Sequence, residues 1–206
     1  MSNWSMPAGD SPSPGARLRA SYANGCITRP GVFNALVAMM AERVGFEGIY
    51  LSGAALSAAC GLPDIGLLTM SEFVELARVI TAASRLPLLV DADSGFGGPL
   101  NVERAVREFE RAGAAAIQLE DQLLPKRCGH LSGKSLVSPE EMEQKIRAAV
   151  CARLDPEFVI VARTDARGVE GFEAAVGRAH RYLEAGADVI FPEALPSREE
   201  FADFRR

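Results

Sequence analysis

Cys128 lies in the stretch PKRCGHLSGKSLVS, directly after Lys126 and Arg127 and two residues before His130, one of only two histidines in the chain. A thiol beside cations has its pKa drawn from about 8.5 toward neutrality. A group titrating near neutral pH gives and takes protons efficiently. The grouping therefore reads as a proton-transfer centre. Cys26, Cys60 and Cys151 have no such neighbours and read as buried, inert thiols. His180, in GRAHRYLEAG, reads as a solvated helix residue with no role.

A second set of reactive groups is acidic. Asp91 and Asp93 stand in LLVDADSGFGG, Asp64 in GLPDIG and Glu120 in IQLED. Crowded carboxylates repel unless a cation neutralises them. All-oxygen ligands suit a hard ion, and Mg²⁺ usually takes one or two carboxylates and keeps several waters. Zinc fits less well, because Cys128-Gly129-His130 lacks its usual ligand spacing. Gly95 and Gly97 permit a tight loop after the two aspartates. Arg163, in VARTDA, offers a fork for a carboxylate, or for an ion pair with Asp165. Together these groups describe chemistry on an anionic oxyacid.

A repeat shows which elements must position them. VGFEGIYLSG, AGAAAIQLED and AGADVIFPEA align on Gly45, Gly113 and Gly186, spaced 68 and 73 residues apart. Each follows a helix-like stretch and holds a short apolar run of the kind that forms a buried parallel strand. With LPLLVDAD and EFVIVARTD between them, strands are expected near 26–30, 48–52, 87–91, 115–120, 158–162 and 188–192. Helices are expected over 71–84, 99–112, 138–153 and 170–185. Ser71 and Ser138 are the expected N-caps, with Glu141 completing a capping box after Ser138. Regular βα units imply a parallel sheet. The repeat favours a (β/α)₈ barrel over an open doubly wound sheet, and no Gly-x-Gly-x-x-Gly opens the first βα turn. In a barrel, catalytic groups sit at the C-terminal strand ends. Ser52, Asp91, Asp93, Glu120, Arg163, Asp165 and Glu193 all fall there, where Asp and Ser also serve as helix caps. Six strands are counted, so the barrel is expected to be truncated after the sixth.

The bulk numbers set limits. The 206 residues are 48% apolar and 24% charged, with a net charge of −5. That suits one domain, read as 16–206 after a flexible Ser/Pro/Gly-rich segment 1–15. The scattered cations argue against nucleic acid, and no apolar run reaches the ~20 residues of a membrane span. Without an apolar leader or Cys-x-x-Cys pairs, free thiols in a reducing cytoplasm are expected.

YLSGAAL, GLPDIG, LLVDADSGFGG, QLEDQLLPKRCGH, VARTDA and FPEA, in this order, resemble the signatures of the isocitrate lyase/phosphoenolpyruvate mutase superfamily over residues 14–195. The Lys-Arg-Cys-Gly-His loop looks like its carbon–carbon lyase branch, and FPEA is similar to the 2-methylisocitrate lyases. GHLSGK also looks like lyases acting on dimethylmalate or oxaloacetate, and a phosphonate mutase or hydrolase is the more distant relative. The resemblance implies Mg²⁺, with Mn²⁺ as an alternative, held by Asp91 and Asp93, with Asp64 and Glu120 reaching it through water. It implies that Ser52, Gly53 and Ala54 contact the substrate's oxyacid end, Ala54 standing where glycine is frequent. Gly129 would offer a backbone N–H, and Arg163 and Glu193 would position the acid. The implied reaction is retro-aldol cleavage of a 2-hydroxy di- or tricarboxylate, best 2-methylisocitrate to pyruvate and succinate. Cys128 would act as general acid, with Lys126, Arg127 and His130 tuning the thiol. Full-length members are expected to be homotetramers. The competing expectation is an inactive fragment that retains only ligand binding.

Overall fold

The structure is a computed structural model, and it describes residues 12–23, 25–129 and 131–206. Six parallel strands form one sheet: β1 (Gly31–Val32), β2 (Ile49–Leu51), β3 (Leu88–Asp91), β4 (Ala116–Glu120), β5 (Val159–Thr164) and β6 (Val189–Pro192). Their order is strictly sequential, each strand pairing in parallel with the next. A doubly wound sheet reverses direction at a switch point, whereas a barrel never does. The order therefore decides for the barrel arrangement. Among the described residues β1 and β6 do not pair with each other.

The helices are α1 (Pro14–Ala23), α2 (Ala35–Val44), α3 (Gly53–Ala59), α4 (Met70–Ala83), α5 (Pro99–Arg111), α6 (Pro139–Ala152), α7 (Ala166–Val169), α8 (Phe172–Glu184) and α9 (Arg198–Phe204). No described helix is long and apolar enough to cross a membrane. Several boundaries differ from expectation for local reasons. The first strand lies at Gly31–Val32, after the expected 26–30. The cap of α4 is Thr69, not Ser71. Its hydroxyl accepts from Glu72 N while the Glu72 carboxylate accepts from Thr69 N, and only that register closes a capping box. Ser138 does cap α6 by accepting from Glu141 N at 3.1 Å. The expected helix over 170–185 is split, because Gly171 at φ 99° separates α7 from α8. The expected flexible lead-in falls on residues 1–11, outside the described residues, and on a segment that is already helical at Pro14.

The three cysteines expected to be buried are exposed. Cys26 follows α1 in a loop, and Cys60 caps the end of α3. Cys151 faces away from the buried stripe of α6, Met142, Lys145, Ile146 and Ala149. His180 is exposed, as expected.

Strand side chains alternate between the two faces with period two. Ile49, Leu51, Leu88, Val90, Ile117, Leu119, Ile160 and Ala162 pack outward against the helices in the main core. The inward set, Leu89, Ala116, Val159 and Val161, packs instead with Leu18 of α1. Leu18 is fully buried, so α1 plugs the floor of the sheet's concave face. Asp188 pins that plug, accepting from Arg19 at 2.8 Å and Arg153 at 2.9 Å. Nearer the C-terminal ends the same inward face becomes polar, with Asp91, Gln118, Glu120 and Arg163. Alternation that fills the floor with apolar groups thus lines the mouth with charge.

Candidate active site

The β3 end supplies two carboxylates. Asp91 is buried, and its two oxygens accept from Gly53 N and Asp93 N, both at 3.2 Å. Gly53 has to be small there, since a Cβ would stand 3.2 Å from Asp91 Oδ2 and 3.4 Å from Phe73. Asp93 sits at φ 45°, a left-handed conformation that aspartate adopts more readily than most residues. Burial and the Asp91 charge push its carboxyl up to about 6, while Lys126 pulls the other way.

The loop between β4 and α6 closes over these acids. Lys126 is buried, with its ammonium paired to Asp64 and lying 2.8 Å from Asp93 Oδ1. Burial opposes its charge, but Asp93 and Asp64 hold the ammonium above its ordinary range. Three residues on, Gly129 is buried tightly against the β5 and β6 ends. A Cβ there would lie 2.3 Å from Arg163 Nη2 and 2.4 Å from Glu193 Oε1. Lys134, at the end of the loop, donates to Asp165 Oδ1 at 2.8 Å and to the Gly129 carbonyl. Cys128 lies between these ties and is half-buried.

Arg163 is held by carboxylates on every side. It forms a bidentate pair with Asp165 at 3.0 and 3.1 Å, and lies 3.4 Å from Glu193 and 3.6 Å from Glu120. Glu120 is almost fully buried, and burial raises its carboxyl well above the usual range, with Arg163 acting against that shift. Burial and the Asp91 charge likewise push up the Tyr50 phenol, which reaches Gln118 at 3.4 Å.

The structure thus gathers Gly53, Asp64, Asp91, Asp93, Glu120, Lys126, Gly129, Arg163 and Glu193 at one mouth, with Cys128 on the loop that covers it. Other expected residues are placed differently. Ser52 caps α3, accepting from Ala55 N at 3.2 Å, and Ala54 is exposed on that helix. Lys126 turns its ammonium to the two aspartates. Arg127 is exposed, and its backbone exchanges hydrogen bonds with the Gln122 side chain. His130 lies outside the described residues.

A buried network behind the site was not singled out from sequence. Asp121 accepts from Thr164 Oγ1 and Tyr182 Oη at 2.8 Å, from Asp165 N at 2.9 Å and from Arg178 at 3.5 Å. It therefore fixes the backbone of the residue that clamps both Arg163 and Lys134. Arg178 and Tyr182, one turn apart on α8, were readable as one helix face, but nothing local pointed that face at Asp121.

Among the described residues no three acidic, histidine or cysteine side chains form a ready metal cage. The donors nonetheless suit a hydrated hard cation. Asp91, Asp93 and Glu120 are buried carboxyl groups, and Glu120 Oε1 is buried with no hydrogen-bond partner. An ion that binds through one or two carboxylates and keeps its waters needs no closed cage.

Comparison with known proteins agrees with this architecture. The phosphoenolpyruvate phosphomutase family profile matches residues 18–206. A 2-methylisocitrate lyase of Aeropyrum pernix is 62% identical over 180 residues, covering 87% of this chain and 58% of that enzyme. The chain thus spans about three-fifths of that curated relative. The crystal structure of 2,3-dimethylmalate lyase superposes with a TM-score of 0.90 at 37% identity, over 95% of this chain and 67% of that one. A phosphonopyruvate hydrolase solved with oxalate and Mg²⁺ gives a TM-score of 0.84 at 39% identity, over 93% and 67%. With its sequential parallel sheet, its acidic mouth and these matches, the chain belongs to the phosphoenolpyruvate mutase/isocitrate lyase superfamily.

Proposed function

We propose that this chain carries the active site of a Mg²⁺-dependent carbon–carbon lyase that cleaves a 2-hydroxy di- or tricarboxylate. 2-Methylisocitrate, cleaved to pyruvate and succinate, is the best substrate. The observation that carries the reading is the loop from Lys126 to Lys134. It is tied at one end to Asp64 and Asp93 and at the other to Asp165, and Gly129, the residue after Cys128, stands against Arg163 and Glu193 at the mouth. The 62% identity to a 2-methylisocitrate lyase supports the substrate.

Asp91 and Asp93 are the residues that would hold Mg²⁺ directly, with Asp64 and Glu120 reaching it through water. When bound, the ion supplies Lewis-acid stabilisation of negative charge on the substrate's oxyacid oxygens. The chain's own groups do the rest. Arg163 offers a substrate carboxylate the guanidinium N–H groups that its pair with Asp165 does not take, in a plane that Asp165 has already set. Gly129 N–H, the Ser52 hydroxyl and Ala54 N–H at the start of α3 offer donors to oxyanions, while Gly53 N–H stays on Asp91. When the substrate's 2-hydroxyl gives its proton to a carboxylate of the mouth and the carbon–carbon bond breaks, a 2-oxo acid and a carboxylate-stabilised carbanion are left. Cys128 Sγ–H delivers the proton to that carbon. Lys126 neutralises the acids beneath the loop, so its effect on the thiol reaches it through the site's overall charge. His130 and Arg127, neighbours of Cys128 in the sequence, are assigned to tuning the thiol directly. The partners implied are the small hydroxycarboxylate and, for full-length relatives, further copies in a tetramer. A cytoplasmic setting suits the four free cysteines.

The test is pyruvate release from 2-methylisocitrate, compared with 2,3-dimethylmalate, in the presence of Mg²⁺ and after its chelation. Turnover that needs the metal and collapses in Cys128→Ser supports the proposal. Full turnover by Cys128→Ser rules out the thiol as the acid.

A further inference from the structure

Lys145 breaks the pattern of its helix. The inward stripe of α6 is Met142, Lys145, Ile146 and Ala149, all buried, and a lysine in that company is only 4% exposed. Burial lowers its pKa, with Glu141 partly opposing the shift. A buried ammonium is costly unless well paired, and the pairing here is thin. Glu141 is a half-exposed carboxylate 3.7 Å away. The inward hydrogen bond goes to a backbone carbonyl, that of Ser94, at 3.2 Å.

Ser94 directly follows Asp93 in a loop of unusual backbone. Asp93 stands at φ 45°, Gly95 at 87°, Phe96 at 59° and Gly97 at 144°. Two glycines give this segment many alternatives. Its other ties include Ala92 N to Gln118 O at 2.9 Å, Asp93 N to Asp91 Oδ1 at 3.2 Å, Gly95 N to Ala92 O at 2.8 Å, Glu120 N to Asp93 O at 2.9 Å and the Asp93–Lys126 ion pair at 2.8 Å, with the Phe96 ring edge-on to Phe73. None of these ties grips the Ser94 carbonyl. Lys145 does so from α6, the third element further along the chain.

We propose that Lys145 is a positioning residue for metal binding: by holding the Ser94 carbonyl it keeps Asp93 in its left-handed conformation, with the carboxylate turned into the mouth. The inference rests on the assignment of Asp91 and Asp93 as metal ligands. It has a diagnostic sign. If Lys145 acted only as a nearby positive charge, its removal would tighten cation binding. As a strut, its removal weakens binding, since loss of a residue that orients a ligand typically costs 10–100-fold in metal affinity.

The experiment uses Mn²⁺ alone, with free ion followed by electron paramagnetic resonance, and the melting temperature of the metal-free protein. Lys145→Met is expected to bind Mn²⁺ at least tenfold more weakly, with a metal-free melting temperature equal to or above that of the parent, because an apolar side chain suits the stripe. Lys145→Gln, which still carries an N–H, should fall between. Unchanged or tighter binding by Lys145→Met overturns the proposal, as does a lowered melting temperature with unchanged affinity. If Lys145→Met does not fold, Lys145→Gln decides: parental affinity overturns the proposal, and weakened affinity supports it. Asp91→Asn is measured alongside. If it binds Mn²⁺ as the parent does, the metal assignment falls and this inference with it. If it loses Mn²⁺ while Lys145→Met does not, only the role of Lys145 is refuted.

Discussion

Replacing Asp121 by Asn tests whether the network behind the site is ionic and stabilising. The substitution keeps the side-chain shape but removes the charge and exchanges one acceptor oxygen for a donor. Oδ2 receives Thr164, Tyr182 and Arg178, so the amide oxygen of Asn is best placed there. Its NH₂ then faces the Asp165 N–H, which now bonds Oδ1 at 2.9 Å. Leaving that buried donor unpaired costs about 1–3 kcal/mol. Loss of the charge facing Arg178 adds to this. Breaking a buried pair costs about 3–5 kcal/mol when the partner is stranded, but Arg178 keeps Glu170 at 2.7 and 2.8 Å and the Val137 carbonyl at 3.0 Å. The sum is about 3–4 kcal/mol. At roughly 2–4 °C per kcal/mol for a chain of this size, the melting temperature should fall by about 6–15 °C. Urea unfolding monitored by circular dichroism gives the free energy directly, with the denaturant slope serving as the check that the unfolded state is unchanged. A loss below about 1 kcal/mol would refute the reasoning. It would mean that the carboxyl, which burial pushes upward, already carries a proton in the folded state.

Gly129→Ala places a methyl group within 2.5 Å of Arg163 and Glu193, so turnover should drop at least tenfold, a displacement effect of the kind that costs about 1.4 kcal/mol or more. A parental kcat/KM would show that the loop retreats freely. Leu18→Ala empties the floor beneath Leu89 and Val161 and should cost about 2–4 kcal/mol in urea unfolding. An effect under about 0.5 kcal/mol would mean that α1 does not plug the sheet. The hydrogen bonds from Arg178 hold the Glu170 carboxyl below its ordinary value. A group with a depressed folded pKa contributes stability above the unfolded pKa of about 4.3, and that contribution fades as pH falls through the lower folded value. The melting temperature should therefore decline more steeply below about pH 4.5 in the parent than in Glu170→Gln, and identical pH profiles would discount the pair.

The sequence by itself determined the architecture and most of the mouth. A repeat of about 70 residues can only come from βα pairs of constant size, and period-two alternation then obliges Asp91, Glu120 and Arg163 to face inward at the strand ends. These are local regularities, so they are written in local order. Tertiary structure alone decided the rest, because it depends on contacts between residues far apart in the chain. Lys126 reads as a neighbour of Cys128, yet its long side chain reaches back 62 residues to Asp64. Asp121 carries no signal in the sequence, yet it is buried under an arginine and a tyrosine from α8. Exposed Cys26, Cys60 and Cys151 show the same limit: burial depends on which neighbours fold over a residue, and composition carries no trace of that. Lys145 is the sharpest case. On a helix diagram it is a misplaced charge, and only the packed loop shows the carbonyl waiting for it.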